Sequence, residues 1–395
     1  MIRFTRAAAA AVLVCSLALP AGVATAAAGP HTATAGTASS VAPPQAARPA
    51  TLPAPTGPYA VGSAVLPLVD HARTDPWVPT ADGRALMVTL HYPAAHPGGG
   101  RPAPYATREE ARLLAEQLSP DVSGDVLART RTHSRTDVRP APGRHPLVLL
   151  SPGFSVSRWT LTHLAEDLAS RGYVVASVDH AYESYGISLP GGRTLTCVAC
   201  TALDEGGVHG SVVTSTRAAD MRYVLDRLTG PASVRPYADM IDARRVGMAG
   251  HSIGGASAAT AMAADPRIDA GINMDGSFWE DLPAEGLRGR PFLMLGTHDM
   301  HQPGGRDTSW DRTWTALDGW KRWITVAGSE HFTFSDGPVI TRHFGLPQPE
   351  LPTDRAVAVT RTYVAAFFDQ HLRGIPRPVL DGPTPANPEV HFQHR

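Results

Sequence analysis

Gly250-His251-Ser252-Ile253-Gly254 is the stretch of sequence that decides the fold. A strand is predicted just before it, at residues 245–249, and an Ala-rich helix just after it, at residues 256–264. A serine on a sharp strand-to-helix turn needs small residues two positions before and after it, so that neighbouring backbone can pass. The glycines meet this requirement, and the helix N-terminus places a positive dipole end beside the serine. This context predicts that Ser252 is a catalytic nucleophile.

Apolar strands alternate with helices through the rest of the chain. Further strands are predicted at 145–151, 173–178, 270–274, 291–296 and 323–327, and further helices at 160–171, 212–228 and 353–372. This alternation is typical of an α/β fold, with a mostly parallel central sheet and helices on both faces. Residues 61–92 are expected to supply antiparallel edge strands. Together with the serine turn, the pattern predicts an α/β-hydrolase fold.

The polar, partly helical segment 107–139 does not belong to this alternation. It is either a cap over the site or surface decoration, and the sequence leaves both open.

A serine hydroxyl becomes an effective nucleophile when a base takes its proton and an acid orients that base. His331 is the predicted base, because it follows the last predicted parallel strand in Gly328-Ser329-Glu330-His331-Phe332. Two aspartates, Asp275 and Asp299, each follow a strand between the serine and this histidine. The chain order Ser, Asp, His holds for both, so the residues alone leave the acid open. The general pattern of the fold favours Asp299.

The negative charge that develops on the substrate oxygen needs two backbone N–H groups aimed at it. By position, these are the N–H of Ile253, after the nucleophile, and the N–H of Phe154, after the early strand. The loop Ser151-Pro152-Gly153-Phe154-Ser155 lacks the His-Gly-Gly-Gly form of many lipases and esterases. Three aromatic residues that follow predicted strands either shape the acyl pocket or pack in the core: Trp159, Phe278 and Trp279.

Four stretches resemble the plasma-type (isoform II) platelet-activating-factor acetylhydrolase family and its secreted bacterial relatives. They are 149–154 (LLSPGF), 166–180 (EDLASRGYVVASVDH), 250–255 (GHSIGG) and 328–331 (GSEH), and the similarity spans most of residues 61–374. In that family the acid ends the strand after the nucleophile, so the resemblance implies Asp275. It also implies short-chain acyl esters as substrates, platelet-activating-factor-like phospholipids among them, with no metal and no cofactor.

Other functions remain compatible with the same residues. Cutinase-like polyester hydrolases of this fold place the acid one strand later, which fits Asp299, and a lipase would prefer long acyl chains. An amide hydrolase uses the same triad, and a non-catalytic binding module would keep the fold alone.

The N-terminus indicates export. Residues 1–26 are a predicted signal peptide, because Arg3 and Arg6 precede an apolar run too short to span a bilayer and Ala24-Thr25-Ala26 suits signal peptidase. Residues 27–56, almost entirely Ala, Thr, Pro, Gly and Ser, have the composition of a disordered linker. Residues 57–395 form the predicted catalytic domain. The protein is therefore expected to be secreted.

Charge, apolar content and cysteine content limit the classes of partner that the protein is expected to bind. The 35 Lys and Arg residues nearly balance 36 Asp and Glu residues, which argues against a nucleic-acid-binding face. No later segment is apolar long enough to span a membrane, and the oligomeric state stays open. Cys197 and Cys200 are expected to form a disulfide, because the predicted mature chain is exported and keeps no other cysteine for a zinc site.

Overall fold

The computed structural model describes residues 48–394. The predicted signal peptide and residues 27–47 of the predicted linker lie outside the described residues. The strands are β1 (Ala60–Asp70), β2 (Arg84–Ala94), β3 (Arg101–Pro102), β4 (Ser134–Thr136), β5 (His145–Ser151), β6 (Val174–His180), β7 (Ile187–Ser188), β8 (Thr194–Leu195), β9 (Ile241–His251), β10 (Ala270–Met274), β11 (Phe292–Thr297), β12 (Lys321–Val326) and β13 (Val390–Phe392).

The α-helices lie between these strands. They are α1 (Arg108–Leu118), α2 (Gly124–Ala128), α3 (Thr162–Ser170), α4 (Val198–Asp204), α5 (Gly210–Thr229), α6 (Ile253–Ala264), α7 (His298–His301), α8 (Ser309–Ala316), α9 (Gly337–His343) and α10 (Thr353–Arg373). Short 3₁₀ turns at Arg158–Leu161 and His331–Phe334 precede α3 and α9.

Within the described residues, a single large sheet has the strand order β13-β12-β11-β10-β9-β5-β6-β2-β1-β4-β3. The six strands from β12 to β6 in this order run parallel, whereas β2 is antiparallel to β6 and β1 to β2. The predicted fold class, a mostly parallel central sheet covered by helices, is confirmed. The short strands β4 and β3 extend this edge beyond β1, with β4 parallel to β1 and β3 antiparallel to β4.

Helices cover both faces of the sheet because both faces are apolar. On one face α5 and α6 pack through a cluster that includes Met221 and Met262. On the other face α3 and α10 pack through a cluster that includes Leu164 and Phe368. Every residue of β5 and β10 is buried. This two-sided burial explains why both strands were predicted with their observed bounds from uninterrupted apolar runs.

The strand that carries the serine motif is longer than predicted. It begins at Ile241 and not at residue 245, and its early residues Ala243 and Arg244 are exposed. These first residues are partly polar and exposed, so periodicity does not mark them as part of a buried strand.

The last part of the predicted linker belongs to the folded domain. Thr51 forms a parallel bridge with Arg131, and Leu52 is 1% exposed within an apolar cluster. The backbone N–H and hydroxyl of Thr56 both donate to Asp167 Oδ1, at 2.9 and 2.8 Å. The linker boundary at residue 56 is therefore wrong, because these contacts are made with distant parts of the chain that composition does not reveal.

The segment 107–139 supports the neighbouring loops. The capping box of Thr107 and Glu110 starts α1, and Leu114 and Leu127 pack with Trp159 in a third apolar cluster. The same cluster contains Val339 and Ile340 of α9, which follows His331 in the chain. The segment thus packs against the loop after β5 and the helix after His331.

Two further features concern the predicted partners. Cys197 and Cys200 form a disulfide at the start of α4, as expected. Among residues 48–394, no helix is long and apolar enough to cross a membrane, and no cluster of three or more His, Cys, Asp or Glu side chains is arranged to bind a metal ion.

Candidate active site

Ser252 occupies the turn between β9 and α6 with φ 57° and ψ −132°. A positive φ is strained for a residue with a side chain, and such strain is typical of functional positions. The flanking glycines are required sterically. A Cβ on Gly250 would lie 2.2 Å from the backbone of Gly254, and a Cβ on Gly254 would lie 2.3 Å from the carbonyl oxygen of Ser151.

His331 lies within hydrogen-bond distance of this serine. The Oγ of Ser252 is 3.0 Å from Nε2 of His331, in the geometry for the hydroxyl to donate to the ring. His331 is the first residue of the 3₁₀ turn after β12, and its side chain is 47% exposed. A substrate could therefore approach both groups from solvent.

Asp275 completes a hydrogen-bonded row. Its Oδ2 accepts from Nδ1 of His331 at 2.7 Å, and its Oδ1 accepts from the backbone N–H of Thr297 at 2.6 Å. Burial alone would raise the pKa of Asp275, but hydrogen bonds from His301 and His331 outweigh it and hold that pKa well below its usual range. Asp275 therefore stays ionised.

Asp299, the other predicted acid, lies outside this row. It is exposed on the short helix α7, and within the described part of the chain it makes no hydrogen bond with His331. The structure thus brings Ser252, Asp275 and His331 together and leaves Asp299 apart.

The loop after β5 runs beside Ser252. A Cβ on Gly153 would lie 3.4 Å from the Cβ of Ser252, so the loop backbone approaches it closely. Among residues 48–394, the N–H of Phe154 donates to no protein acceptor. Ile253 is the first residue of α6, where N–H groups have no intrahelical partner. Both N–H groups are thus available to a ligand at the serine.

Residues 46–189 and 225–374 match the family of platelet-activating factor acetylhydrolase, isoform II. The chain belongs to this family. Its members are carboxylic ester hydrolases of the α/β-hydrolase fold, in agreement with the sheet and the serine turn described above.

Individual relatives carry several esterase names. A ferulic acid esterase of known structure from Streptomyces cinnamoneus is 47% identical, with a TM-score of 0.79 over 87% of this chain and 99% of that one. A probable 1-alkyl-2-acetylglycerophosphocholine esterase of Arthroderma benhamiae is 31% identical over 62% of this chain and 66% of its own length, just under two thirds. A bis(hydroxyethyl) terephthalate hydrolase of Streptomyces coelicolor is 28% identical over 60% of this chain and 73% of its own length.

In this acetylhydrolase-family chain, a buried ionic network lies against the loop after β5. Arg217 donates through Nη1 to the carbonyl oxygen of Pro152 and through Nε to Glu183. Glu183 also accepts from Arg84, which binds Asp220 in turn. Burial would raise the pKa of both acids, but the neighbouring arginines lower it, so both are ionised. Sequence reasoning missed this network because its members are scattered along the chain.

His251, inside the serine motif, is a second residue that the sequence did not single out. Its Nε2 donates to the backbone carbonyl oxygen of His331 at 2.7 Å, which links the turn that carries Ser252 to the loop that carries His331 in this family member. Burial, followed by the nearby charge of His331, lowers the pKa of His251 to about 3. It is therefore a neutral hydrogen-bond donor at physiological pH.

His301 also contacts Asp275, on the side away from His331. It precedes the last parallel strand, where a catalytic base is not expected in this fold.

The three aromatic residues considered for the acyl pocket lie mainly in packed regions of the domain. Trp159 is 4% exposed and packs edge-on against Tyr105, and Phe278 is 6% exposed and packs against Phe292. Trp279 is half-buried. Packing therefore accounts for Trp159 and Phe278.

Proposed function

We propose that this protein is a secreted serine carboxylic-ester hydrolase that forms an acyl-enzyme on Ser252. The observation that carries the proposal is the row of hydrogen bonds from Ser252 through His331 to Asp275, with separations of 3.0 and 2.7 Å. Family membership supports the reaction class.

In the first step, Nε2 of His331 accepts the proton of the Ser252 hydroxyl as Oγ attacks the ester carbonyl carbon. The N–H groups of Phe154 and Ile253 stabilise the oxyanion. Asp275 holds the imidazole in the tautomer with the proton on Nδ1 and stabilises the imidazolium that forms. His331 then gives its proton to the departing alcohol, which leaves the acyl group on Ser252.

In the second step, water takes the place of the alcohol. His331 removes a proton from the water as its oxygen attacks the acyl carbon. The second tetrahedral intermediate collapses, the carboxylic acid leaves, and the proton returns to Oγ of Ser252.

For the substrate, the first candidate is an ester with a short acyl chain, including platelet-activating-factor-like phospholipids. The family match and the acetylglycerophosphocholine esterase relative favour it. A second candidate is an ester of an aromatic acid. The ferulic acid esterase at 47% identity and the terephthalate-ester hydrolase favour this alternative. Phe332, which is 50% exposed beside His331, offers an aromatic surface next to the reacting atoms.

The deciding experiment measures kcat/KM of the secreted protein on p-nitrophenyl acetate, butyrate and decanoate and on methyl ferulate. A preference for acetate and butyrate supports the first candidate, and a preference for methyl ferulate supports the second. Highest activity on decanoate would favour a lipase. Ser252→Ala is the control and should lose all of these activities.

Two further measurements separate the remaining alternatives. An ester and an amide of the same acid distinguish an ester hydrolase from an amide hydrolase. A fluorophosphonate probe labels Ser252 in an active enzyme, and absence of labelling in folded protein would favour a non-catalytic binding module. Mass spectrometry of protein from the culture medium tests secretion, with a mature chain starting after residue 26 as the expected result.

A further inference from the structure

Asp275 is shared by two histidines that lie on opposite sides of its carboxylate. His331 binds Oδ2 on the side of Ser252, whereas Nδ1 of His301 donates to Oδ1 at 2.8 Å. The side chain of His301 is 3% exposed, so it lies behind the triad and away from the substrate.

Both ring nitrogens of His301 face carboxylates. Nδ1 contacts Asp275, and Nε2 lies 3.1 Å from Oδ2 of Asp307. A neutral imidazole has one N–H, so it would leave a lone pair pointing at one of the two carboxylates. An imidazolium donates to both. Burial alone would lower the pKa of His301, but its hydrogen bonds with Asp275 and Asp307 outweigh burial and raise that pKa to about 9.

The surroundings of His301 also suit a cation. The ring of Trp310 stacks on it with centroids 4.2 Å apart, and an indole face attracts positive charge. The indole N–H of Trp323 donates to the backbone carbonyl oxygen of His301 at 2.6 Å, which fixes the backbone of α7 at that point.

We propose that His301 is a positioning residue of the triad: a buried imidazolium that holds Asp275 in place, offsets part of its negative charge and thereby sets the pH at which His331 acts as a base. The proposal rests on the function proposed above, because it concerns the same Ser252 site.

The charges around the two histidines determine whether His301 favours or disfavours protonation of His331. Asp275 and Asp307 face His301, and on the same helix Asp299 is exposed and His298 bonds to Thr325. The side chains that face His331 are Asp275, Ser252, Phe332 and the neutral His251. On α8, Asp311 accepts from the N–H of Gly304. His301 carries a positive charge and binds the oxygen of Asp275 that does not face His331. Because like charges repel, this charge disfavours protonation of His331.

The first test compares the pH dependence of kcat/KM for His301→Asn with that of the unmodified secreted protein. Asparagine can still donate to Asp275 from the position of Nδ1, but it carries no charge and does not reach Asp307. The acidic limb should move to higher pH by about 0.5 to 1 unit, because a nearby positive charge has been removed. We expect kcat to fall and KM to change less than about twofold, since His301 does not contact substrate.

His298→Asn is the matched control for this experiment. His298 begins the same helix, but it bonds to Thr325 and packs on His391, away from Asp275. For His298→Asn, the acidic limb of the kcat/KM profile should coincide with that of the unmodified protein. If the acidic limb for His301→Asn coincided with it as well, the proposal would be overturned.

The second test measures the charge itself in the Ser252→Ala protein, where no turnover occurs. Ring ¹⁵N chemical shifts of labelled histidine should show His301 as an imidazolium between about pH 6 and pH 8. A neutral ring at about pH 7 would overturn the proposal. If His301→Asn does not fold, Asp307→Asn replaces it and should lower the pH at which His301 loses its proton. Complete inactivity on esters would refute the proposed function, whereas this spectrum would still decide the state of His301.

Discussion

Arg217 donates a hydrogen bond from Nη1 to the carbonyl oxygen of Pro152 over 2.5 Å, directly before the Gly153 and Phe154 backbone that borders Ser252. Its Nε donates to Glu183 at 2.7 Å, and the backbone carbonyl oxygen of Glu183 accepts from the N–H of Ser155 at 2.9 Å. The loop is therefore held on both sides of Phe154 by the two residues of one buried ion pair, by the Arg217 side chain on one side and by the Glu183 backbone on the other. A fixed donor is what oxyanion stabilisation requires.

Arg217→Lys should lower kcat without a comparable change in KM. Lysine keeps the charge that balances Glu183, but it lacks the planar fork that reaches both Glu183 and Pro152. We expect a loss of about tenfold to a hundredfold in kcat, because a misplaced oxyanion donor acts mainly on the transition state. Steady-state kinetics on p-nitrophenyl butyrate would measure this. Arg73→Lys is the matched control, since Arg73 binds Asp220 in the same network without contacting the loop. Equal kcat values for the two variants would contradict the assigned role of Arg217.

Asp275→Asn should reduce kcat by about a thousandfold or more, because the amide favours the wrong imidazole tautomer and does not stabilise an imidazolium. Asp299→Asn makes the same chemical change at an exposed position and should leave kcat within about twofold of the unmodified value. Both are measured with the same ester. A larger loss from Asp299→Asn would transfer the role of acid to Asp299.

Gly276→Ala should disrupt the site next to Asp275. A Cβ on Gly276 would lie 1.9 Å from the backbone oxygen of Ser252, and Gly276 is clamped by two hydrogen bonds with the Asn273 side chain. Either the nucleophile turn or the residue after Asp275 must move. We expect lower Tm and slower fluorophosphonate labelling. Gly98→Ala, where an added Cβ meets no atom within 4 Å, is the control and should change neither quantity.

The sequence was most informative for strands that are buried on both faces and for site residues that stand in a short motif after a strand. The observed bounds of β5 and β10 could be predicted because both strands are wholly buried and therefore continuously apolar. Ser252 and His331 could be singled out because each follows a strand and stands in a short recognisable context. Leu52 could not be placed, since its neighbours in sequence are Ala, Thr and Pro without periodicity and its partners lie far along the chain.

The choice between two aspartates and the role of His301 depend on side-chain direction, which spacing does not specify. Asp275 directly follows the buried strand β10 with φ 61°, and in this backbone conformation its carboxylate reaches His331. Asp299 follows an adjacent strand but lies in a helical turn with its side chain exposed. Two residues further along the same turn, His301 is buried against Asp275. A difference of two positions on one helix thus separates an exposed residue from one at the site.

The stability of the protein should fall as the pH is lowered below about 6.5, because several histidines are buried in the neutral form. Burial, aided by Arg158, lowers the pKa of His91 to about 4, and burial, aided by Arg361, lowers the pKa of His163 to about 3. The unfolded chain binds these protons at higher pH than the folded chain does. The stabilisation is therefore present above the unfolded pKa of about 6.5 and is lost as the pH falls towards the folded values.

Urea unfolding at about pH 7, 6 and 5 would measure this dependence. His91→Leu removes one buried titrating group, so the slope of unfolding free energy against pH should decrease by up to about 1.4 kcal/mol per pH unit. His71→Leu is the control, because it makes the same replacement at a largely exposed position. If His91→Leu and His71→Leu both gave the same slope as the unmodified protein, His91 would have to become protonated within the folded state. Strand β2, which carries His91, would then have to admit water at acidic pH.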